Sequence, residues 1–170
     1  SSFNFDRIMV SNEYEKALFM RKGCFPPERI IENGLLRWDL LAADSAPAPD
    51  KTIFVYFTHR RYLRDMADIS RSVYIQTITG LLRHPRLKAL TQRYGYRVKV
   101  GVHHTVADRF GPDVLSGIEV VGDDEIAHVK KEAALLITDY SAMCFEMWFQ
   151  YKPVIFLHVW LHIGRNLCCR

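Results

Sequence analysis

Residues 135–157 read LLITDYSAMCFEMWFQYKPVIFL. An apolar run stops at Thr138, Asp139-Tyr140-Ser141 follow, and a nearly all-apolar stretch then carries one carboxylate, Glu146. Pro153 opens a second apolar run. The pattern predicts a strand over 134–138, a helix over 142–150 and a strand over 154–157. Apolar runs of this kind, with no alternation of polar and apolar residues, fit strands buried on both faces, as in parallel sheets.

The same signal recurs upstream. TIFVYF (52–57) is wholly apolar but for its threonine, and RVKVGV (97–102) and GIEVV (117–121) also read as strands. Between them, 72–94 has helical periodicity with a break at His84-Pro85, where proline cannot continue a helix. Residues 123–132 form an amphipathic helical pattern with acids at its start and lysines near its end, the arrangement the helix dipole favours. Alternating strands and helices from residue 52 onward predict an α/β fold: a Rossmann-like, mostly parallel sheet with helices on both faces. Upstream, 8–10 and 29–32 read as short strands, 12–20 as a helix with Ser11 as N-cap, and 35–41 as a short helix. ADSAPAPDK (43–51) has no periodicity and reads as a linker. The expected division is a connecting segment and linker over 1–50 and a nucleotide-binding domain over 51–170.

Composition bounds the class. The chain has 170 residues, 49% hydrophobic and 25% charged, which is a globular composition. A net charge of +4 mildly favours an anionic partner. No apolar run reaches the roughly 18 residues that a membrane span needs. The opening SSFNFDR holds neither a signal peptide nor an initiator Met, and reads as the start of a fragment. Cys24, Cys144, Cys168 and Cys169 have no CxxC spacing and read as free thiols in a reducing compartment. No His, Cys, Asp or Glu spacing supports a metal site, and no cofactor motif such as GxGxxG or a Walker A loop is present.

In parallel sheets ligands bind at the carboxyl ends of the strands, near the point where strand order reverses. The residues to weigh are therefore Thr58-His59-Arg60-Arg61, His103-His104, Gly122-Asp123-Asp124 and Asp139-Tyr140-Ser141. A helix start with small hydroxyl residues suits phosphate, which Ser141 can approach; Asp139 and Ser141 can equally well cap the helix. The charge of Asp139 would repel phosphate, so bracing suits it better. Glu146 sits among apolar neighbours and needs partners, either a ribose diol or a nearby Lys or Arg. Arg60 and Arg61 can clamp phosphate or serve as ordinary surface charge. His103 can act as general base or phosphate donor, or be structural.

Residues 135–157 resemble the signature of the CDP-glycerol glycerophosphotransferase family, the teichoic acid primases and polymerases with related bacterial capsule polymerases. Thr138, Asp139, Tyr140, Ser141, Glu146, Lys152 and Pro153 match its strand–TDYSS–helix–KP–strand pattern, with Ala142 in place of the second serine. IIENGLLRWDLL (30–41) resembles the family's "tGxPRxDxL" segment through Gly34, Arg37, Asp39 and Leu41. TIFVYFTHR resembles "ILYAPTxR" through Thr58 and Arg60, and His103 falls where a family strand ends in histidine. Beyond Leu157, VWLHIGRNLCCR departs from the pattern.

The resemblance implies the C-terminal half of a GT-B glycosyltransferase fold, lacking the N-terminal GT-B domain that would face it. It implies transfer of a polyol phosphate from a CDP-activated donor to a hydroxyl on a lipid-linked or polymer acceptor, in teichoic acid or capsule synthesis. His103 would be catalytic. Thr58, Arg60, Asp139, Ser141 and Glu146 would bind substrate. No metal, no cofactor and no nucleic acid are implied. The full protein would be cytoplasmic and peripheral on the inner face of the bacterial membrane. Two other readings fit the same scaffold: a noncatalytic nucleotide- or polymer-binding module, and a nucleotide-sugar glycosyltransferase.

Overall fold

A computed structural model describes residues 5–22, 25–43, 50–58, 60–102 and 116–158. The chain divides into two units, 1–45 and 46–170. In the first, β1 (Ile8–Val10) and β2 (Ile30–Glu32) pair in parallel, with Ile8 opposite Ile30. Helix α1 (Glu13–Arg21) connects them, and α2 (Leu36–Ala43) follows. Asn12, not Ser11, caps α1: its side chain accepts the Glu15 N–H at 3.0 Å. Ser11 lies one residue outside, and its N–H and hydroxyl both donate to the Glu15 carboxylate. The cap therefore falls one position later than the pattern predicted, because asparagine offers an acceptor at the right reach while the Glu15 carboxylate engages Ser11, the residue before the cap.

The second unit is a five-stranded sheet in the order β5-β4-β3-β6-β7, with every neighbouring pair parallel. Its strands are β3 (Asp50–Tyr56), β4 (Arg97–Gly101), β5 (Glu119–Val121), β6 (Ala133–Thr138) and β7 (Val154–Phe156). Alternate residues feed two cores. Ile53, Val55, Phe57, Val100 and Ile137 point to one face, where Leu63, Ile69, Tyr74 and Ile75 cover them. The last two belong to α3 (Val73–Leu82), which Pro85 separates from α4 (Pro85–Tyr94). Phe54 and Leu136 point to the other face, packed by Val129 of α5 (Ile126–Glu132) and Met147 of α6 (Met143–Phe149). Helices thus lie on both faces of a parallel sheet, as the apolar strand runs require.

Helix α5 starts three residues later than the charge pattern suggested. Asp123, Asp124 and Glu125 sit in the preceding turn, closed by the Glu125 N–H to the Gly122 carbonyl at 3.1 Å. Helix α6 is likewise shorter than predicted, by one residue at each end. Gly101 ends β4 opposite Tyr56, and a Cβ there would lie 2.7 Å from the Tyr56 ring and 3.0 Å from that of Phe54. The missing side chain leaves room for these two β3 rings to lie over the end of β4. Among the described residues no helix is long and apolar enough to cross a membrane.

Candidate functional site

Strand order reverses between β3 and β6, the first and fourth strands of the sheet in sequence. In open α/β sheets this switch point is where the connecting segments diverge and leave a crevice. The register Tyr56↔Thr138 brings the carboxyl ends of the two strands level, so the segments that follow them, 57–60 and 139–141, emerge side by side.

Asp139 sits at the centre and is fully buried. Its Oδ1 accepts from the Thr58 N–H at 2.8 Å and the Thr58 hydroxyl at 2.9 Å. Its Oδ2 accepts from Arg60 Nη2 at 2.6 Å and from the Tyr74 hydroxyl at 2.9 Å. Four donors from β3's end and α3 thus converge on one carboxylate. Three neutral donors and one cation together offset the cost of burying a charge.

Arg60 is placed by the turn that follows it. Leu63, 1% exposed, anchors a 3₁₀ turn (Arg61–Asp65), and its N–H closes onto the Arg60 carbonyl at 2.9 Å. The guanidinium then lies against two rings, 5.0 Å from the centroid of Tyr74 and 5.6 Å from that of Tyr140. Its side chain keeps 23% of its surface exposed, so the cation is held but not sealed. Tyr74 is buried, and its hydroxyl also reaches the Thr58 carbonyl at 2.7 Å. Burial, reinforced by the neighbouring Asp139 charge, raises the Tyr74 phenol far above its ordinary pKa, so it stays a proton donor.

Ser141 opens the turn into α6. Its hydroxyl accepts the Met143 N–H at 3.2 Å and its carbonyl the Cys144 N–H at 3.2 Å. The Phe145 N–H goes to the Ala142 carbonyl at 3.1 Å. The start of α6 therefore binds much of its own donor capacity, and the serine hydroxyl keeps its hydrogen to donate outward. Tyr140 is exposed and contacts His158 at the end of β7, hydroxyl to Nδ1 at 3.2 Å.

Glu146 lies on the opposite face of the sheet from Tyr74, in α6 against α5. It is 7% exposed and forms an ion pair and hydrogen bond with Lys130. Lys152 completes this cluster, its ammonium on the carbonyls of Lys130 (2.9 Å) and Lys131 at the end of α5. Burial lowers the Lys152 pKa.

Thr58, Arg60 and Asp139 are thus drawn into one network, with Ser141 on the adjoining turn. Glu146 is engaged elsewhere, and His103 lies outside the described residues, as do Cys24, Cys168 and Cys169. Cys144 is a buried free thiol. Sequence reasoning missed Tyr74 and Lys130. In sequence Tyr74 is an apolar-face aromatic of a helical pattern, and nothing local marks it as a partner of Asp139. Lys130 stands 16 residues before Glu146 in an ordinary lysine pair. Among the described residues no group of three or more His, Cys, Asp or Glu is placed to hold a metal ion.

No family profile matches the chain, and no curated protein does. Solved structures do. The wall teichoic acid polymerase TagF matches with a TM-score of 0.60 at 18% identity, over 89% of this chain and 39% of that one. A TagF variant soaked with CDPG matches at 0.58 and 20% identity, over 90% and 38%. The UDP-GlcNAc 2-epimerase of Methanocaldococcus jannaschii matches at 0.53 and 19% identity, over 89% and 46%. The chain thus spans about two fifths of the TagF chains it matches. The likeness shows the fold: a Rossmann-like, parallel α/β sheet of the kind that makes up one half of a GT-B glycosyltransferase.

Proposed function

We propose that this chain is the nucleotide-binding half of a GT-B transferase that moves a polyol phosphate from a CDP-activated donor to a hydroxyl acceptor, lipid-linked or polymeric. The observation that carries the proposal is Arg60, a partly exposed guanidinium fixed at the switch point of a parallel sheet beside the Ser141 turn. A pyrophosphate there would accept from the remaining Nη donors of the guanidinium and from the Ser141 hydroxyl. Transfer of this kind rests on positioning and charge neutralisation. Thr58 and Asp139 serve the site by holding Arg60. The ribose is assigned to Glu146, and the general-base step to His103, by resemblance alone.

The test is a calorimetric titration of the chain with CDP. Arg60→Ala and Ser141→Ala are each expected to weaken binding by a charge-assisted hydrogen bond, roughly 1.5–3 kcal/mol, or about 10- to 150-fold. Unchanged affinity in both variants discards the phosphate assignment. The likeness to a UDP-GlcNAc 2-epimerase keeps a second reading, a nucleotide-sugar enzyme. Tighter binding of UDP than of CDP favours it. A lipid-linked acceptor further requires the full protein to reach a membrane, and the chain's net positive charge suits an anionic surface. Cosedimentation of the full protein with phosphatidylglycerol vesicles is expected, falling as salt rises; no cosedimentation at low salt removes the peripheral-membrane part.

A further inference from the structure

We propose that Tyr74 is a positioning residue for Arg60, holding the guanidinium in the orientation in which it meets an anion. This rests on the reading of Arg60 as the anchor of a phosphate site. Asp139 grips Arg60 through Nη2 on a single oxygen, Oδ2. A one-point contact leaves the guanidinium plane free to swing about it, unlike a two-pronged fork. Tyr74 removes that freedom in two ways. Its ring lies against the guanidinium, 5.0 Å from centroid to Cζ. Its hydroxyl shares one hydrogen between the Thr58 carbonyl at 2.7 Å and, at 2.9 Å, the same Oδ2 that receives Arg60, so the carboxylate cannot turn without disturbing both of its contacts at that oxygen.

The rest of the frame is stiff. Thr58 holds Oδ1 with two donors. Tyr74 itself is 2% exposed and stands at the first turn of α3, where Ile75 beside it is 3% exposed in the core. Tyr140, on the other side of the guanidinium, is 59% exposed and cannot supply the same rigidity. An arginine already ordered does not lose its rotamer freedom when a ligand arrives, and that saving appears as affinity.

The test combines titration with a double-mutant cycle. Tyr74→Phe keeps the ring and removes the hydroxyl. It is expected to weaken binding of inorganic pyrophosphate and of CDP about three- to tenfold, and to change nothing further in an Arg60→Ala background. Equal losses in both backgrounds overturn the proposal. So does no loss with Arg60 present. Ile75→Val, which touches only the core, controls for a purely structural effect and is expected to leave affinity unchanged.

A second readout needs no ligand: the Arg60 Nε–H line in a ¹⁵N spectrum, identified by its absence in Arg60→Ala. It is expected to be as narrow as the backbone amides in the wild-type chain and to broaden or average in Tyr74→Phe. A line unaltered by Tyr74→Phe overturns the proposal, and a line already averaged in the wild type does so even if Tyr74→Phe fails to fold. If the wild-type chain binds neither pyrophosphate nor CDP, the phosphate reading falls, and this line alone decides whether Tyr74 positions Arg60.

Discussion

Replacing Asp139 with alanine is expected to cost about 4–5 kcal/mol of stability, a large share of the roughly 5–15 kcal/mol that holds a domain folded. The deletion removes an acceptor from four donors at once: the Thr58 N–H and hydroxyl, Arg60 Nη2 and the Tyr74 hydroxyl. Three of these are neutral, and Tyr74 retains the Thr58 carbonyl as an acceptor. The guanidinium is the expensive one. It loses its carboxylate while three quarters of its side chain stays out of water. Asp139→Asn keeps an acceptor oxygen but turns an amide donor toward other donors, and about 2–3 kcal/mol is expected. Urea unfolding followed by circular dichroism measures both. A loss below about 1 kcal/mol in Asp139→Ala means that the network is not held together by this carboxylate.

The second large effect is expected at Glu146. Glu146→Ala leaves Lys130 with its charge largely buried, and about 3 kcal/mol should be lost. Replacing both partners with apolar residues, as in Lys130→Met with Glu146→Leu, removes the two desolvation costs together. It should return to within about 1 kcal/mol of the wild type. The same pair separates structure from recognition. A double variant that is stable but binds CDP far more weakly keeps Glu146 as the ribose ligand. One that is stable and binds CDP normally leaves Glu146 as the ion-pair partner of Lys130 and nothing more. A double variant as unstable as the single one shows that the pair is not the reason for the cost.

The sheet was legible because its strands carry the signal inside themselves. The apolar runs at 52–57 and 134–138 are largely buried on both faces, and no helix pattern competes with them. Helix starts were less legible. Ser11 and Asn12 are both good caps, and the choice between them depends on where the Glu15 carboxylate reaches, which is a matter of geometry. Strand order is a further step removed. Alternation fixes that the sheet is parallel, but only tertiary packing makes β3 the neighbour of β6. For that reason Thr58, Arg60 and Asp139 could each be singled out at a strand end, while their bonding to one another could not. Tyr74 is the extreme case: 65 residues separate it from Asp139, and its role depends on where α3 begins.

The order of the sheet also governs how the chain meets solvent during synthesis. β3 is the first of its strands to be made and the one at the centre. Its last residue, Tyr56, pairs with Gly101 on one side and Thr138 on the other. The second partner emerges 82 residues later (138 − 56). At ribosomal speeds of about 5–20 residues per second, that is roughly 4–16 s. For that time the run TIFVYF, β-branched and aromatic with no charge or proline, has one edge without its partner. Such a segment pairs readily with another copy of itself. Crowded polysomes and high expression temperatures are therefore the conditions under which this chain is most prone to aggregate, whatever the stability of the finished fold.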